Sequence, residues 1–251
     1  MWPKHEGREL GAARARRYCE LWVGYDNHPA RKERTVVRSL RRGAFAAAAL
    51  FASFAGFIDG FGFVYLGGYF VSFMSGNSTR GGVDLVTGDF GAAGLAFLLI
   101  ASFVGGVMVG TLIARPSWIS VFLIAALVFA AVAAYAELTA AVGVLLAASM
   151  GAKNTVFASD GATSFGVTYM TGALVKFGQG LITAIRTPDR FAWARPITMW
   201  AAIAIGAALG AASIVTLGIS GLWIVIAAHL LFLLLPVTRA WLQPAPAAPR
   251  V

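Results

Sequence analysis

Residues 71–80 read VSFMSGNSTR and residues 167–176 read VTYMTGALVK, and eight of the ten positions are identical or chemically matched. The residues before them also correspond, because Gly56-Phe57-Ile58-Asp59 lies 95 residues before Gly151-Ala152-Lys153-Asn154 while the motifs lie 96 residues apart. The chain is therefore predicted to be an internal duplication. Each copy has the order span, motif, span, span.

The composition places both copies in a lipid bilayer. Hydrophobic residues make up 59% of the 251 residues and charged residues only 12%, against about a quarter in a soluble domain. A bilayer core about 30 Å thick needs roughly 20 apolar residues for each helix that crosses it. Six stretches meet or nearly meet that demand, and they predict an all-α polytopic membrane protein: 44–66, 92–114, 118–136, 139–159, 197–217 and 219–236.

The two motifs lie in stretches that are more polar and richer in glycine than these spans, 68–87 and 163–185. In hydrocarbon, irregular backbone is tolerated only where protein or a wet cavity surrounds it. In Val71–Met74 and Val167–Met170, β-branched or small polar residues alternate with aromatic or sulfur-containing residues, and this alternation favours extended backbone. The Ser75-Gly76-Asn77 and Thr171-Gly172 sequences that follow supply N-cap side chains and a flexible glycine. Each motif is predicted to be an extended piece that enters the membrane and a half-helix that leaves it.

The distribution of charge predicts the topology. Of the 20 lysines and arginines, 11 lie before Ala44, so the N-terminus is expected in the cytoplasm under the positive-inside rule. The same rule places Arg115, the cluster Arg186, Arg190 and Arg195, and Arg239 in the cytoplasm, and leaves Asp84, Asp89 and Glu137 outside. Six crossings satisfy these placements. Three crossings in each copy make the copies antiparallel, as in the inverted repeats of many secondary transporters.

A rival topology has eight crossings and parallel repeats, and it places Arg115 outside. Under either topology the chain is expected in a bacterial inner membrane, and the C-terminus, like the N-terminus, is expected in the cytoplasm. The predicted division is a basic tail at 1–43, expected to be disordered, repeat 1 at 44–137, repeat 2 at 138–237 and a short tail at 238–251.

The pairing of the motifs predicts a binding site. Inversion symmetry would bring the starts of the two half-helices together near the bilayer midplane, where their N–H groups and positive dipole ends favour an anion. Arg80 and Lys176 occupy matched positions and would add positive charge, although each could instead extend to its own membrane interface. The predicted substrate-binding residues are Ser75, Gly76, Asn77, Thr79, Arg80, Thr171, Gly172 and Lys176.

Asp59 is the only acid inside a full span of the first copy. An unpaired carboxylate there is costly, so Asp59 needs a partner or a function. A salt bridge to Arg80 and a proton or sodium coupling site are the two alternatives. Asn154 takes the matched position in the second copy, with Lys153 beside it, so acid chemistry at this site is not duplicated.

Other classes of site find little support in the sequence. Cys19 is the single cysteine, so there is no disulfide framework or thiolate cluster. His229 stands alone in the last span and is interpreted as a core residue, because nothing nearby in the sequence completes a metal set. No hydrolase, phosphate-loop or metalloprotease pattern occurs. The chain is predicted not to be an enzyme, with no cofactor, no metal and no nucleic-acid partner.

Glycines at four-residue spacing favour close packing of helices, as in the pairs Gly56/Gly60, Gly106/Gly110 and Gly206/Gly210. Several of the same positions carry a resemblance to a known family. They are Gly56–Asp59, Gly62-Phe63, Leu66-Gly67-Gly68, Ser72, Met74–Asn77 and Thr79, with Gly151, Asn154 and Tyr169–Gly172 in the second copy.

On these residues the chain resembles the YoaK-like family, a large bacterial family of uncharacterised inner-membrane proteins, over about 44–236. The resemblance implies a membrane location and a duplicated core, and it brings no established substrate. The family pattern usually has threonine where Ser75 stands and glutamine where Lys153 stands. The first change keeps a hydroxyl, whereas the second introduces a charge.

The leading functional hypothesis is a transporter or channel for a small solute, with an anion favoured, bound between the two motifs. The alternative is a non-transporting membrane scaffold or sensor whose basic tail is the working part. Removing the residues before Arg42 discriminates between them, because only the scaffold hypothesis predicts loss of function. The lipid bilayer is the one partner that the sequence assigns, and the oligomeric state is left open.

Overall fold

A computed structural model describes residues 42–113, 115–156, 158–159, 162–163 and 170–234. Nearly all of the predicted basic tail at 1–43, with Cys19, lies outside the described residues. So do residues 167–169 of the second predicted extended piece, and the predicted C-terminal tail at 238–251 with Arg239.

The described residues form a helical bundle with one pair of two-residue strands. In chain order the elements are α1 (Arg42–Tyr65), α2 (Met74–Thr87), α3 (Phe90–Ile113), α4 (Pro116–Tyr135), α5 (Thr139–Asn154), β1 (Ala158–Ser159), β2 (Ala162–Thr163), α6 (Met170–Arg186), α7 (Ala194–Leu217), a 3₁₀ turn (Gly218–Gly221) and α8 (Leu222–Leu234). β1 and β2 pair antiparallel.

Four stretches of the described residues are helical, long and apolar enough to cross a membrane: Phe45–Tyr65, Phe90–Ile113, Ser117–Tyr135 and Ala194–Leu234. The last of them runs through α7, the 3₁₀ turn and α8. α5 has 16 residues and ends at Asn154, so the span predicted at 139–159 is shorter than expected. These stretches confirm the prediction of a helical membrane protein with several spans.

α1 ends at a pair of glycines that turn the chain back. Gly67 has a φ of 67° and Gly68 a φ of 96°, values that residues with a side chain rarely adopt. The Gly68 N–H donates to the Phe63 carbonyl and the Gly67 N–H to the Val64 carbonyl, which is the Schellman pattern that satisfies the last carbonyls of a helix. Residues Leu66–Phe73, called the returning segment below, then run back beside α1.

The glycine pairs bring α1 against α7 and α3 against α5. A Cβ on Gly56 would overlap the Ile203 carbonyl oxygen, and a Cβ on Gly206 would overlap that of Ser53. The second pair repeats this arrangement, because a Cβ on Gly151 would overlap the Phe103 carbonyl oxygen and a Cβ on Gly106 that of Ala148. The predicted close packing is confirmed, since small residues let two backbones touch.

The contacts of the two helix pairs correspond residue by residue. Gly151 lies 95 residues after Gly56, and the Ala148 that faces Gly106 lies 95 residues after the Ser53 that faces Gly206. On the partner helices, Ile203 and Gly206 lie 100 residues after Phe103 and Gly106. The duplication read from the motifs therefore extends to the packing of the spans.

The relative directions of α1 and α5 follow from three contacts. In the first half of α1, Phe51 meets Lys153 at the end of α5. Further along α1, Gly62 faces Leu146, and beyond the helix end Leu66 packs on Gly143. The contacting residues therefore increase in number along α1 while they decrease in number along α5, so the two helices run antiparallel.

Candidate functional site

Polar side chains of α1 and α2 hold the returning segment in place. Asp59 lies six residues before the end of α1, about 9 Å along the helix axis. Its Oδ1 accepts the backbone N–H groups of Val71 at 3.0 Å and Ser72 at 2.9 Å. Because Asp59 binds backbone that lies beside the last third of α1, the chain has turned back by nearly two turns of helix. The Val71 side chain is fully buried there.

The Asn77 side chain fixes the next residue of the returning segment. Its Oδ1 accepts the Phe70 N–H at 2.9 Å, and its Nδ2 donates to the Phe70 carbonyl oxygen. One carboxamide thus satisfies both the N–H and the C=O of Phe70, which has no strand partner, and buried backbone groups need such partners. Asn77 is 0% exposed, and its remaining contact is with the Met74 sulfur.

Arg80 and Asp84 bind the first part of the same segment. The Arg80 Nη1 donates to the Gly68 carbonyl oxygen at 2.6 Å, and its guanidinium lies over the Tyr69 ring, 4.2 Å from the ring centroid. The Tyr69 hydroxyl donates to the Asp84 carboxylate at 2.9 Å. In the described part of the chain Asp59 is held by backbone N–H groups rather than by Arg80, so the alternative of a salt bridge between them is wrong.

The other predicted residues of the first motif lie at the start of α2. The helix begins at Met74 after Phe73, which makes no side-chain cap, so the predicted N-cap role of Ser75 is wrong by two positions. Ser75 is exposed in the first turn. Gly76 packs against the Phe73 ring, and the exposed Thr79 donates back to the Ser75 carbonyl oxygen.

The second motif is described from Met170 onward. α6 starts at Met170, 96 residues after the start of α2 at Met74, so the two half-helices begin at matched positions. Thr171 is exposed, Gly172 is buried and Lys176 is exposed. Asn154, matched to Asp59, donates to the Met150 carbonyl oxygen. The approach of this motif to the first one stays a prediction.

Tyr69 and Asp84 take part in the contacts that hold the returning segment, but the sequence did not predict them as site residues. Asp84 belongs to this group because Asn77, Arg80 and Asp84 recur at spacings of three and four, which places them on one face of α2, and Tyr69 belongs to it by donating to Asp84. That spacing is visible in the sequence. What the sequence lacks is the information that this face turns toward the returning segment.

Several apolar spans, together with a backbone that breaks and turns back beside α1, define a multi-pass membrane protein with an irregular buried segment. The chain belongs to the family described as Protein of unknown function (DUF1275), which matches residues 47–235. The resemblance to YoaK-like proteins is consistent with this family. A UPF0700 transmembrane protein of Rhizobium meliloti (strain 1021) is 33% identical over 197 residues, covering 77% of this chain and 86% of the relative. No solved structure matches the chain.

Proposed function

We propose that the protein is a transporter or channel for a small solute, built from two inverted repeats. The observation that carries the proposal is the returning segment, whose backbone meets Asp59 beside the last third of α1. Broken helices inside the membrane are expensive, because the backbone must find new partners. Transporters commonly use such breaks to form solute sites. In this proposal the protein moves a solute across the membrane and catalyses no chemical reaction.

The antiparallel course of α1 and α5 supports the inverted arrangement. In the eight-crossing topology both helices would cross in the same direction, whereas in the six-crossing topology they cross in opposite directions. The contacts from Phe51 to Lys153 and from Leu66 to Gly143 favour opposite directions. We infer six crossings in a bacterial inner membrane, with both termini in the cytoplasm.

The solute is proposed to bind at the starts of α2 and α6. Ser75 and Thr171 are exposed in the first turns of the two helices, where the positive ends of the helix dipoles attract an anion. Arg80 has five N–H donors, and one of its nitrogens is engaged by Gly68. The positive charges of Arg80 and of Lys176 from the second motif favour an anion as the solute.

Uptake by liposomes that contain the purified protein tests the proposal. Small anions and neutral solutes of similar size should be compared in wild type, Arg80→Gln and Lys176→Gln. The loss of one charge-assisted contact, about 1.5–3 kcal/mol, predicts at least a tenfold weaker apparent affinity for the transported anion. Arg186→Gln is the matched control, because Arg186 is exposed at the last turn of α6, and this variant should transport like wild type.

Two results contradict the proposal in different ways. If no solute enters faster than into protein-free liposomes, the transport function itself is wrong. If uptake occurs but Arg80→Gln and Lys176→Gln transport the anion as wild type does, the site between the motifs is wrong while transport stands. Melting curves of both variants in detergent check that lost uptake does not reflect lost folding.

A further inference from the structure

Lys153 and His229 meet in the core of the bundle, away from the returning segment. Lys153 lies in the last turn of α5 and is 0% exposed, and His229 lies in α8 and is 2% exposed. Both pack on the same two rings of α1, those of Phe51 and Phe54. The pair therefore sits where α1, α5 and α8 come together.

Each of the two side chains has a buried nitrogen without a hydrogen-bond partner in the described part of the chain, Lys153 Nζ and His229 Nε2. An ammonium group has three N–H donors to satisfy. The Phe51 ring, whose centroid is 4.2 Å from Nζ, offers its negative face to one side of the group. A ring face does not replace a hydrogen-bond acceptor, so the remaining donors of Lys153 lack a partner that the described residues supply.

The tautomer of His229 is set by the backbone. Its Nδ1 lies 3.1 Å from the Val225 carbonyl oxygen, and a carbonyl oxygen can only accept a hydrogen bond, so Nδ1 carries the hydrogen. In the neutral ring, Nε2 then presents a lone pair. An anion can contact Nε2 only after this nitrogen has taken up a proton.

The other charged groups near the pair are engaged elsewhere. On α1, Asp59 faces away to the backbone of Val71 and Ser72. Arg195 on α7 lies over the Phe45 ring. The described residues of α4 between Ser117 and Ala134 include no charged or histidine side chain. Lys153 is therefore the charged neighbour that faces His229, and no described carboxylate neutralises it.

We propose that Lys153 and His229 form a binding site for a small monovalent anion, which binds together with one proton. The anion accepts from Lys153 Nζ on one side. On the other side the proton adds to His229 Nε2, which then donates to the anion. Both side chains are almost fully enclosed, so the ligand is of the size of chloride, nitrate or formate. The site uses none of the residues of the one proposed between the motifs.

Internal duplication argues that these polar groups are not needed for packing. The position of the first copy that corresponds to Lys153 is Ile58, which is fully buried. The positions of the second copy that correspond to Phe51 and Phe54 are Leu146 and Ser149. The same place in the other half of the bundle is thus filled without a cation, and an isoleucine at 153 copies a side chain that the fold already accommodates.

Thermal unfolding of the full-length protein in detergent tests the site. Chloride, nitrate and formate should be compared with gluconate, which is too large to enter, at equal ionic strength and at about pH 6 and about pH 8. A ligand that binds only the folded state raises the midpoint as its concentration rises. We expect this rise with the small anions and not with gluconate, and an affinity at least tenfold weaker at the higher pH.

Lys153→Ile and His229→Phe should each abolish the anion-dependent rise, whereas Arg186→Gln should retain it. His229→Phe keeps a ring against Phe54, so it serves if Lys153→Ile does not fold. The proposal is overturned if wild type and His229→Phe respond equally to the small anions, if wild type shows no response, or if the response does not depend on pH. The assay needs no transport, so a negative uptake result leaves this test standing.

Discussion

Asp59 illustrates how a charged residue inside a span can have a structural role. Its Oδ1 accepts two backbone N–H groups from the returning segment, and hydrogen bonds to a charged group are among the stronger ones in proteins. The sequence predicted that Asp59 needs a partner or a function. It could not identify the partner, because backbone N–H groups are present at every position other than proline.

Asparagine at position 59 should preserve this role, since one carboxamide oxygen can accept both bonds, and Asn154 stands at the matched position of the second copy. Alanine should leave two buried N–H groups without an acceptor, at a cost of about 1.5–3 kcal/mol for each bond. We therefore expect Asp59→Ala to unfold at clearly lower denaturant or temperature in detergent, and Asp59→Asn to stay close to wild type.

The same pair of variants tests the coupling alternative for Asp59. If the carboxylate carries a proton or a sodium ion during transport, Asp59→Asn should fold normally but lose the dependence of uptake on that ion. If Asp59 is an anchor, Asp59→Asn should transport with the ion dependence of wild type. Loss of ion-driven uptake in a stable Asp59→Asn protein would contradict the anchoring role.

At the level of the helices, the sequence predicted the spans and their close contacts better than it predicted the start of α2. Glycine spacing identified the packed faces, because a missing side chain is itself the feature that lets backbones touch. The start of α2 at Met74 depends on the turn at Phe73, where the backbone N–H groups of Gly76 and Asn77 both donate to the Phe73 carbonyl. Such local turns leave no distinct residue pattern.

Two adjacent glycines of α3 provide a matched test of helix packing. A Cβ on Gly106 would overlap the Ala148 backbone, whereas a Cβ on Gly105 would meet nothing within 4 Å. We expect Gly106→Ala to lower the free energy of unfolding by about 1–3 kcal/mol through overpacking. Gly105→Ala should be neutral or should stabilise the helix by up to about 1 kcal/mol.

Unfolding of both variants in the same detergent measures this difference. Equal stability of the two proteins would contradict the contact between α3 and α5. Because Gly206 repeats the role of Gly106 in the other pair, Gly206→Ala should be destabilised to a similar degree as Gly106→Ala. A much smaller effect at Gly206 would argue that the two halves of the bundle are not equivalent.

At the level of the whole molecule, the internal duplication was visible in the sequence and recurs in the packing of matched glycines. The cluster of Lys153 with His229 was not predicted, because these residues are 76 positions apart and lie in the first and last spans of repeat 2. Only the fold brings them together. The sequence signal that could have pointed to this site was Lys153 itself, a charged residue in a predicted span, since ionisable groups within the membrane usually serve a function.

The orientation of the two repeats in the membrane is the central claim. Cysteines introduced one at a time at Ser117 and Ala136, both exposed, report on the two ends of α4 while leaving Arg115 and Glu137 unchanged. The native Cys19 is first replaced by serine, which leaves no other thiol in the chain. A thiol reagent that does not cross membranes is then applied to intact cells.

Six crossings and inverted repeats predict that Ala136→Cys is labelled in intact cells, and that Ser117→Cys is labelled only after the membrane has been opened. Labelling of Ser117→Cys in intact cells, with Ala136→Cys protected, would contradict the account and support eight crossings with parallel repeats.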